Sequence, residues 1–136
     1  MWTSAGPSYA IASKLAYPDK RVMVIFGDGS FGLNGFEFEA AIRQNIPIVG
    51  VIGNDAAWQQ IRRGQIGLYG EERAVATQLD YTRYERMVEA FGGIGVYIED
   101  PSEIAPAIER AFESGKPALI NVKMGTSDFR AGAISV

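Results

Sequence analysis

The hydrophobic pattern of this chain alternates between two periods. Residues 21–26 (RVMVIF) and 47–52 (PIVGVI) are apolar with little or no alternation, as expected of strands buried on both faces of a parallel sheet. Shorter runs at 95–99 and 117–122 predict a third and a fourth strand. Helical spacing fills the intervals. A helix is predicted over 7–16, with Pro7 in its first turn. A second runs from about Phe31 to Gln44, turning Phe31, Phe38, Ala41 and Ile42 to one side, with Asn45 as its C-cap. A third, over 81–91, is capped by Asp80 and stopped by Gly92 and Gly93. A last one follows Asp100-Pro101-Ser102-Glu103, a capping-box pattern, and buries Ile104, Ile108, Ala111 and Phe112. Pro106 falls inside it and calls for a later start or a local distortion. Residues 54–65 read as a loop and a short helix, 67–78 as irregular, and the tail 125–136 has no period.

Strands alternating with helices predict an α/β domain, three layers (α/β/α) about a mainly parallel sheet. The chain of 136 residues suffices for one such domain. It opens directly on a helix, and four strands make a small sheet. We therefore expect it to be truncated at the N-terminus, Met1 not being the natural start.

Composition narrows the chemistry. A net charge of −3 offers no basic footprint, so neither nucleic acid nor an anionic membrane is an expected partner. The longest apolar run, 46–53, is too short for a bilayer. MWTSAGPSYA lacks the charged and apolar regions of a signal peptide, and a cytoplasmic location is the expectation. The chain contains no cysteine and no histidine. A thiolate nucleophile, a sulfur-bound zinc and an imidazole base are thereby excluded within it. Any metal held here must be a hard cation on oxygen ligands.

Candidate chemistry gathers at two loops expected at the carboxyl ends of adjacent or next-adjacent strands, where ligands of open parallel sheets bind. The first is Gly27-Asp28-Gly29-Ser30 and the second Gly53-Asn54-Asp55-Ala56-Ala57-Trp58. Three readings compete. The turn is a plain tight turn, with Asp28 bonding the backbone. Alternatively, Gly27 to Gly32 is a G-x-G-x-x-G dinucleotide fingerprint with Asp55 on a ribose. In that case Asp28 would face an anionic pyrophosphate with no cation between, a repulsion of roughly a few kcal/mol or more. The third reading removes the conflict. Asp28 and Asn54 grip Mg²⁺ on one side, and a diphosphate completes the shell, helped by Ser30 and by N–H donors at the start of the following helix.

The paired GDGS and GND segments resemble the GDG…NN motif of thiamine-diphosphate-dependent enzymes. The flanking sequence from Tyr9 to Asp55 is similar to the diphosphate-binding domain of the acetolactate synthase-like group, which includes benzaldehyde lyase, oxalyl-CoA decarboxylase and 2-hydroxyacyl-CoA lyases. The resemblance spans about Ser8 to Thr126. It implies the thiamine-diphosphate-binding fold, with thiamine diphosphate and Mg²⁺ as cofactors. It further implies Asp28, Asn54 and the Ala56 carbonyl as metal ligands. Gly27, Asp28, Gly29, Ser30, Asn54, Ala56, Ala57 and Trp58 are implied around the cofactor, Trp58 and Gln59 toward substrate, and Glu37 in a supporting role. Trp58 as a core residue and Glu37 as an exposed helix carboxylate are the alternatives.

Three departures shape the expectation. Gly53 replaces the first asparagine of the usual pair. The loop expected near the aminopyrimidine ring is missing or reduced to MWTSAGP. Gln60 stands where some 2-keto acid decarboxylases carry a glutamate, which leaves synthase or lyase chemistry on a 2-keto acid, aldehyde or acyl-CoA. No catalytic residue is expected in this chain. The activating glutamate belongs to a pyrimidine-binding domain of the same or a partner subunit, and the full-length enzyme is expected to be a homodimer or homotetramer. Arg130 could meet a phosphate or carboxylate, and Arg62-Arg63 could clamp a phosphate, although a solvated surface role suits each.

Overall fold

The computed structural model describes residues 5–126. Arg130, most of the tail and residues 1–4 lie outside them. Four strands, β1 (Met23–Gly27), β2 (Val49–Asn54), β3 (Ile94–Ile98) and β4 (Ala118–Lys123), form one parallel sheet in the order β1-β2-β4-β3. Helices α1 (Gly6–Ala16), α2 (Asp28–Asn34), α3 (Glu37–Arg43), α4 (Gln59–Tyr69), α5 (Glu85–Ala90) and α6 (Ile104–Glu113) connect them. The predicted parallel α/β architecture is thus the observed one.

Each face of the sheet has its own core. Ile48, Ile52 and Leu119 point to one side, where Ala10, Phe31, Phe38, Ala41 and Val88 cover them. Val49, Val51, Ile120 and Val122 point to the other and meet Ala107 and Ala111 of α6. Central strands covered on both faces need no alternation, and β2 and β4 are buried almost throughout. Residues 21–26 behave differently. The strand predicted to be fully buried is an edge strand that alternates, with Val24 and Phe26 packed on the core and Ile25 69% exposed. Its apolar run does not reveal this, because neighbours, not sequence, decide how many faces are covered.

Helix boundaries moved for identifiable reasons. The helix expected from Phe31 begins at Asp28 and divides near Gly35 and Phe36, where i→i+3 bonds (Phe38 N to Gly35 O, Glu39 N to Phe36 O) tighten the chain. It ends in a Schellman arrangement: Ile46 N donates to Ala41 O and Asn45 N to Ile42 O, with Asn45 in the left-handed region at φ 52°. The helix expected over 81–91 starts only at Glu85, and Asp80 caps nothing helical. Thr82 O is instead claimed by two side-chain amides, those of Asn54 and Asn121. Asp100 does accept from Ser102 N, but it opens a 3₁₀ turn (Pro101–Glu103) that leads into α6. Pro106 then falls in the first turn of α6, where its missing N–H goes unmissed. The helical segment after Asn54 continues to Tyr69, further than expected, and buries none of its residues.

Phe31 joins the site turn to the core. Its ring lies 5.4 Å from Phe26, 6.1 Å from Phe38 and 5.2 Å from Tyr84, centroid to centroid. Phe31→Ala should lower the unfolding free energy by about 3–5 kcal/mol. Urea unfolding followed by circular dichroism measures this.

Candidate functional site

Adjacent parallel strands bring the two predicted loops together. β1 and β2 pair with Gly27 opposite Gly53, so Asp28 and Asn54 follow at matching positions on the carboxyl edge. Their side chains meet one short turn. Asp28 Oδ2 accepts from Ala57 N (3.1 Å), and Asn54 Oδ1 accepts from Ala56 N (3.3 Å). Ala56 takes φ 56°, a left-handed conformation that an alanine adopts only under constraint. The constraint is visible. Ala56 O accepts from Leu79 N and from Gln78 Nε2, each at 2.8 Å, while Trp58 N donates to Thr77 O. A strap at 77–79 therefore fixes the turn from outside.

The cavity at this edge measures about 650 Å³. Gly27, Asp28, Gly29, Ser30, Ala57, Trp58 and Gln59 all line it, as the sequence suggested. Asn54 and Ala56 do not. The Asn54 amide nitrogen turns inward to Thr82 O and Asn121 Oδ1, and the Ala56 carbonyl turns to the strap. Glu37 sits half-buried at the start of α3, away from the cavity wall. Gln60 lines the cavity, whereas Arg62 pairs with Glu71 at 3.7 Å.

Sequence reasoning missed Asp55 in this role, along with Ile25, Ile61 and Met124 on the apolar walls. Asp55 stands next to Asn54, which was the available signal. Met124 follows the fourth strand, and its contribution depends on Gly53: a Cβ there would lie 2.9 Å from Met124 Sδ. The absent asparagine thus leaves room that a thioether occupies. Likewise a Cβ on Gly29 would meet the Trp58 ring at 2.7 Å, so the indole closes directly over the glycine turn.

The electrostatics are those of an acid pair. Asp28 is 1% exposed, and its carboxyl is pushed up to about 6, first by burial and further by the charge of Asp55, against the lowering effect of the Gly29 and Ala57 N–H groups. Asp55 is raised as well, chiefly by burial, while its hydrogen bond with Asp28 and the Arg63 charge act the other way. No group of three or more His, Cys, Asp or Glu is placed to hold a metal among the described residues. Two carboxylates with an amide oxygen nearby are nonetheless a hard, anionic donor set. It fits a divalent cation that takes its remaining ligands from a diphosphate.

A parallel α/β domain with an acid-floored cavity at the carboxyl ends of its strands is the class that this geometry defines. Residues 3–122 match the family of the thiamine pyrophosphate enzyme, C-terminal TPP binding domain, and the chain belongs to that family. It is 44% identical over 118 residues to an acetolactate synthase large subunit of Mycobacterium tuberculosis, covering 87% of this chain and 21% of that protein. It is 38% identical over 136 residues to 2-hydroxyacyl-CoA lyase 2 of Danio rerio, covering 96% and 22%. The chain thus spans about a fifth of the length of these relatives. Its fold is similar, with a TM-score of 0.79 at 22% identity, to a thiamine diphosphate-dependent 4-hydroxybenzoylformate decarboxylase of Rhodococcus jostii, covering 88% of this chain and 23% of that one. The resemblance carried by the GDGS and GND segments holds at the level of the family. No helix among the described residues is long and apolar enough to cross a membrane.

The raised Asp28 carboxyl has a sign that can be tested. A carboxyl with a folded pKa near 6 and an ordinary value of 3.8 binds its proton more tightly in the native state. It therefore adds stability at low pH that is lost as pH rises through about 6. In chelator, the metal-free protein should melt lower at pH 7 than at pH 5, after correction for other groups. Asp28→Asn should flatten that dependence and raise the melting temperature at pH 7. Thermal denaturation across pH 4–8 measures both effects.

Proposed function

We propose that this chain binds thiamine diphosphate with Mg²⁺, as the diphosphate-binding part of a thiamine-dependent carboligase or lyase acting on 2-keto acids or 2-hydroxyacyl compounds. The acid pair carries the reading. Asp28, buried, and Asp55, half-buried, stand side by side at the mouth of a glycine turn, an arrangement that opposes an anionic ligand unless a cation lies between. Asp28 and Asn54 supply side-chain oxygens to that cation. The Ala56 carbonyl joins them only if Gln78 releases it, because Leu79 N and Gln78 Nε2 already take both its lone pairs.

When bound, thiamine diphosphate supplies the electron sink for breaking or making a bond next to a carbonyl. The residues of this chain have simpler tasks. Gly27, Gly29 and Ser30 admit the diphosphate, and Ala57 N holds the Asp28 carboxylate in place. Trp58 and Gln59 face the substrate, and Ile25, Ile61 and Met124 keep its surroundings apolar. The acid that activates the cofactor comes from a pyrimidine-binding domain, in an assembly of two or four subunits. Surface of the kind such a domain covers is present: Ile25 on the edge strand, and Leu68, 76% exposed, on a helix with no fully buried residue.

Calorimetry with thiamine diphosphate and Mg²⁺ should show binding that vanishes on removing the metal and in Asp28→Ala. NAD should not compete. Metal-dependent binding that survives Asp28→Ala would overturn the reading, and turnover of pyruvate by this chain alone would overturn the assignment of the activating acid elsewhere.

A further inference from the structure

Behind the site runs a buried polar chain of which the proposed function uses only the first member, Asn54. Asn54 Nδ2 donates to Thr82 O and to Asn121 Oδ1, both at 3.1 Å. Asn121 Nδ2 donates to Thr82 O (3.0 Å) and to Glu85 Oε2 (2.8 Å). Glu85 Oε1 accepts from Arg83 Nε at 2.5 Å, and the Arg83 guanidinium lies 4.0 Å from the centre of the Tyr97 ring. Asn54, Asn121 and Glu85 are all at or below 2% exposure. Buried carboxylates are rare away from a metal or a partner charge, and this one sits on α5, behind β4, at the inner end of a chain leading to Asn54.

Polarity runs one way along this chain. The Glu85 carboxylate, paired with Arg83, only accepts, so Asn121 must turn Nδ2 toward it and Oδ1 toward Asn54. Asn54 must then turn Nδ2 toward Asn121. Thr82 O, which also only accepts, reinforces both orientations. Asn54 Oδ1 is left on the Ala56–Ala57 turn that also holds Asp28 Oδ2, with one lone pair beyond the bond from Ala56 N. We propose that Asn121 and Glu85, with Arg83, are positioning residues that hold the Asn54 amide oxygen toward a divalent cation. This rests on the cation reading above. The anchored carboxylate also polarises the two amides in series, which increases the electron density on that oxygen. Such outer partners commonly govern metal affinity by about 10–100-fold.

Glu85→Gln is nearly isosteric and reverses the polarity. With Arg83 still donating to Oε1, the new Nε2 faces Asn121 Nδ2, donor against donor, unless the amides flip and present Asn54 Nδ2 to the site. Mn²⁺ affinity in the presence of thiamine diphosphate, read by electron paramagnetic resonance well below the melting temperature, should fall about tenfold or more. Glu85→Gln combined with Asn121→Asp gives both the new Nε2 and Asn54 Nδ2 an acceptor but sets a carboxylate oxygen against Thr82 O. It should therefore recover part of the loss while lowering general stability further, a split that a merely structural role would not produce. Unchanged affinity in Glu85→Gln, or no recovery in the double variant, would overturn the proposal. Asn54→Ala is the control: if it too binds Mn²⁺ normally, the cation reading of Asn54 fails instead. Should the variants not fold, the unaltered chain still decides. The side-chain NH₂ protons of Asn54 and Asn121 should exchange slowly with solvent by NMR, and rapid exchange at Asn54 would refute the chain of bonds.

Discussion

Two carboxyl groups held against one another, one buried and one half-buried, are the constraint on which this edge of the molecule depends. Asp28 leaves water and Asp55 partly so at the ends of adjacent strands, and neither position can relax outward, because the backbone that carries each is pinned. Asp28 opens α2, whose Phe31 is locked among Phe26, Phe38 and Tyr84. Asp55 precedes a turn tied down through Ala56, Ala57 and Trp58. Folding therefore holds a repulsive pair in place. A fold that stores such a conflict is suited to a cation, whose charge converts repulsion into attraction at the same spot.

The left-handed alanine tells the same story in backbone terms. Ala56 at φ 56° costs of order 1–3 kcal/mol and persists only where its surroundings over-determine it. Here they do, through Asn54 and Asp28 on one side and the strap at 77–79 on the other. Thr77 Oγ1 in turn donates to Gln65 Oε1, and Gln65 Nε2 to Val75 O, so the strap and α4 brace each other although α4 buries no side chain. Rigidity in the strap and α4 is supplied by hydrogen bonds, whereas the glycine turn is held by the core packing of Phe31. That leaves α4 and its apolar residues on the surface, where the proposed partner domain would find them.

Much of this was legible in the chain. The alternation of apolar runs with helical spacing gave a parallel α/β sheet, since each period can bury its apolar positions in only one way. The glycine turn with its aspartate announced the carboxyl edge as the place for chemistry. The absence of cysteine and histidine confined any metal to oxygen donors. The pairing of GDGS with GND pointed to the right family, because two short motifs on successive strands constrain each other more than either does alone.

Other properties required three dimensions, and the reason is the same each time. Strand order made β1 an edge, and no local pattern encodes how many neighbours a strand will have. The start of α5 was displaced because Asn54 and Asn121, distant in sequence, captured Thr82 O before a helix could use it. Asp55 became half of an acid pair, Met124 filled the space left by Gly53, and Gln78 reached the Ala56 carbonyl, each across a gap in sequence that only folding closes. Residue types and their periods were set by the chain itself. Which lone pair faces which donor was decided by packing, because hydrogen bonds act over about 3 Å and sequence separation says nothing about that distance.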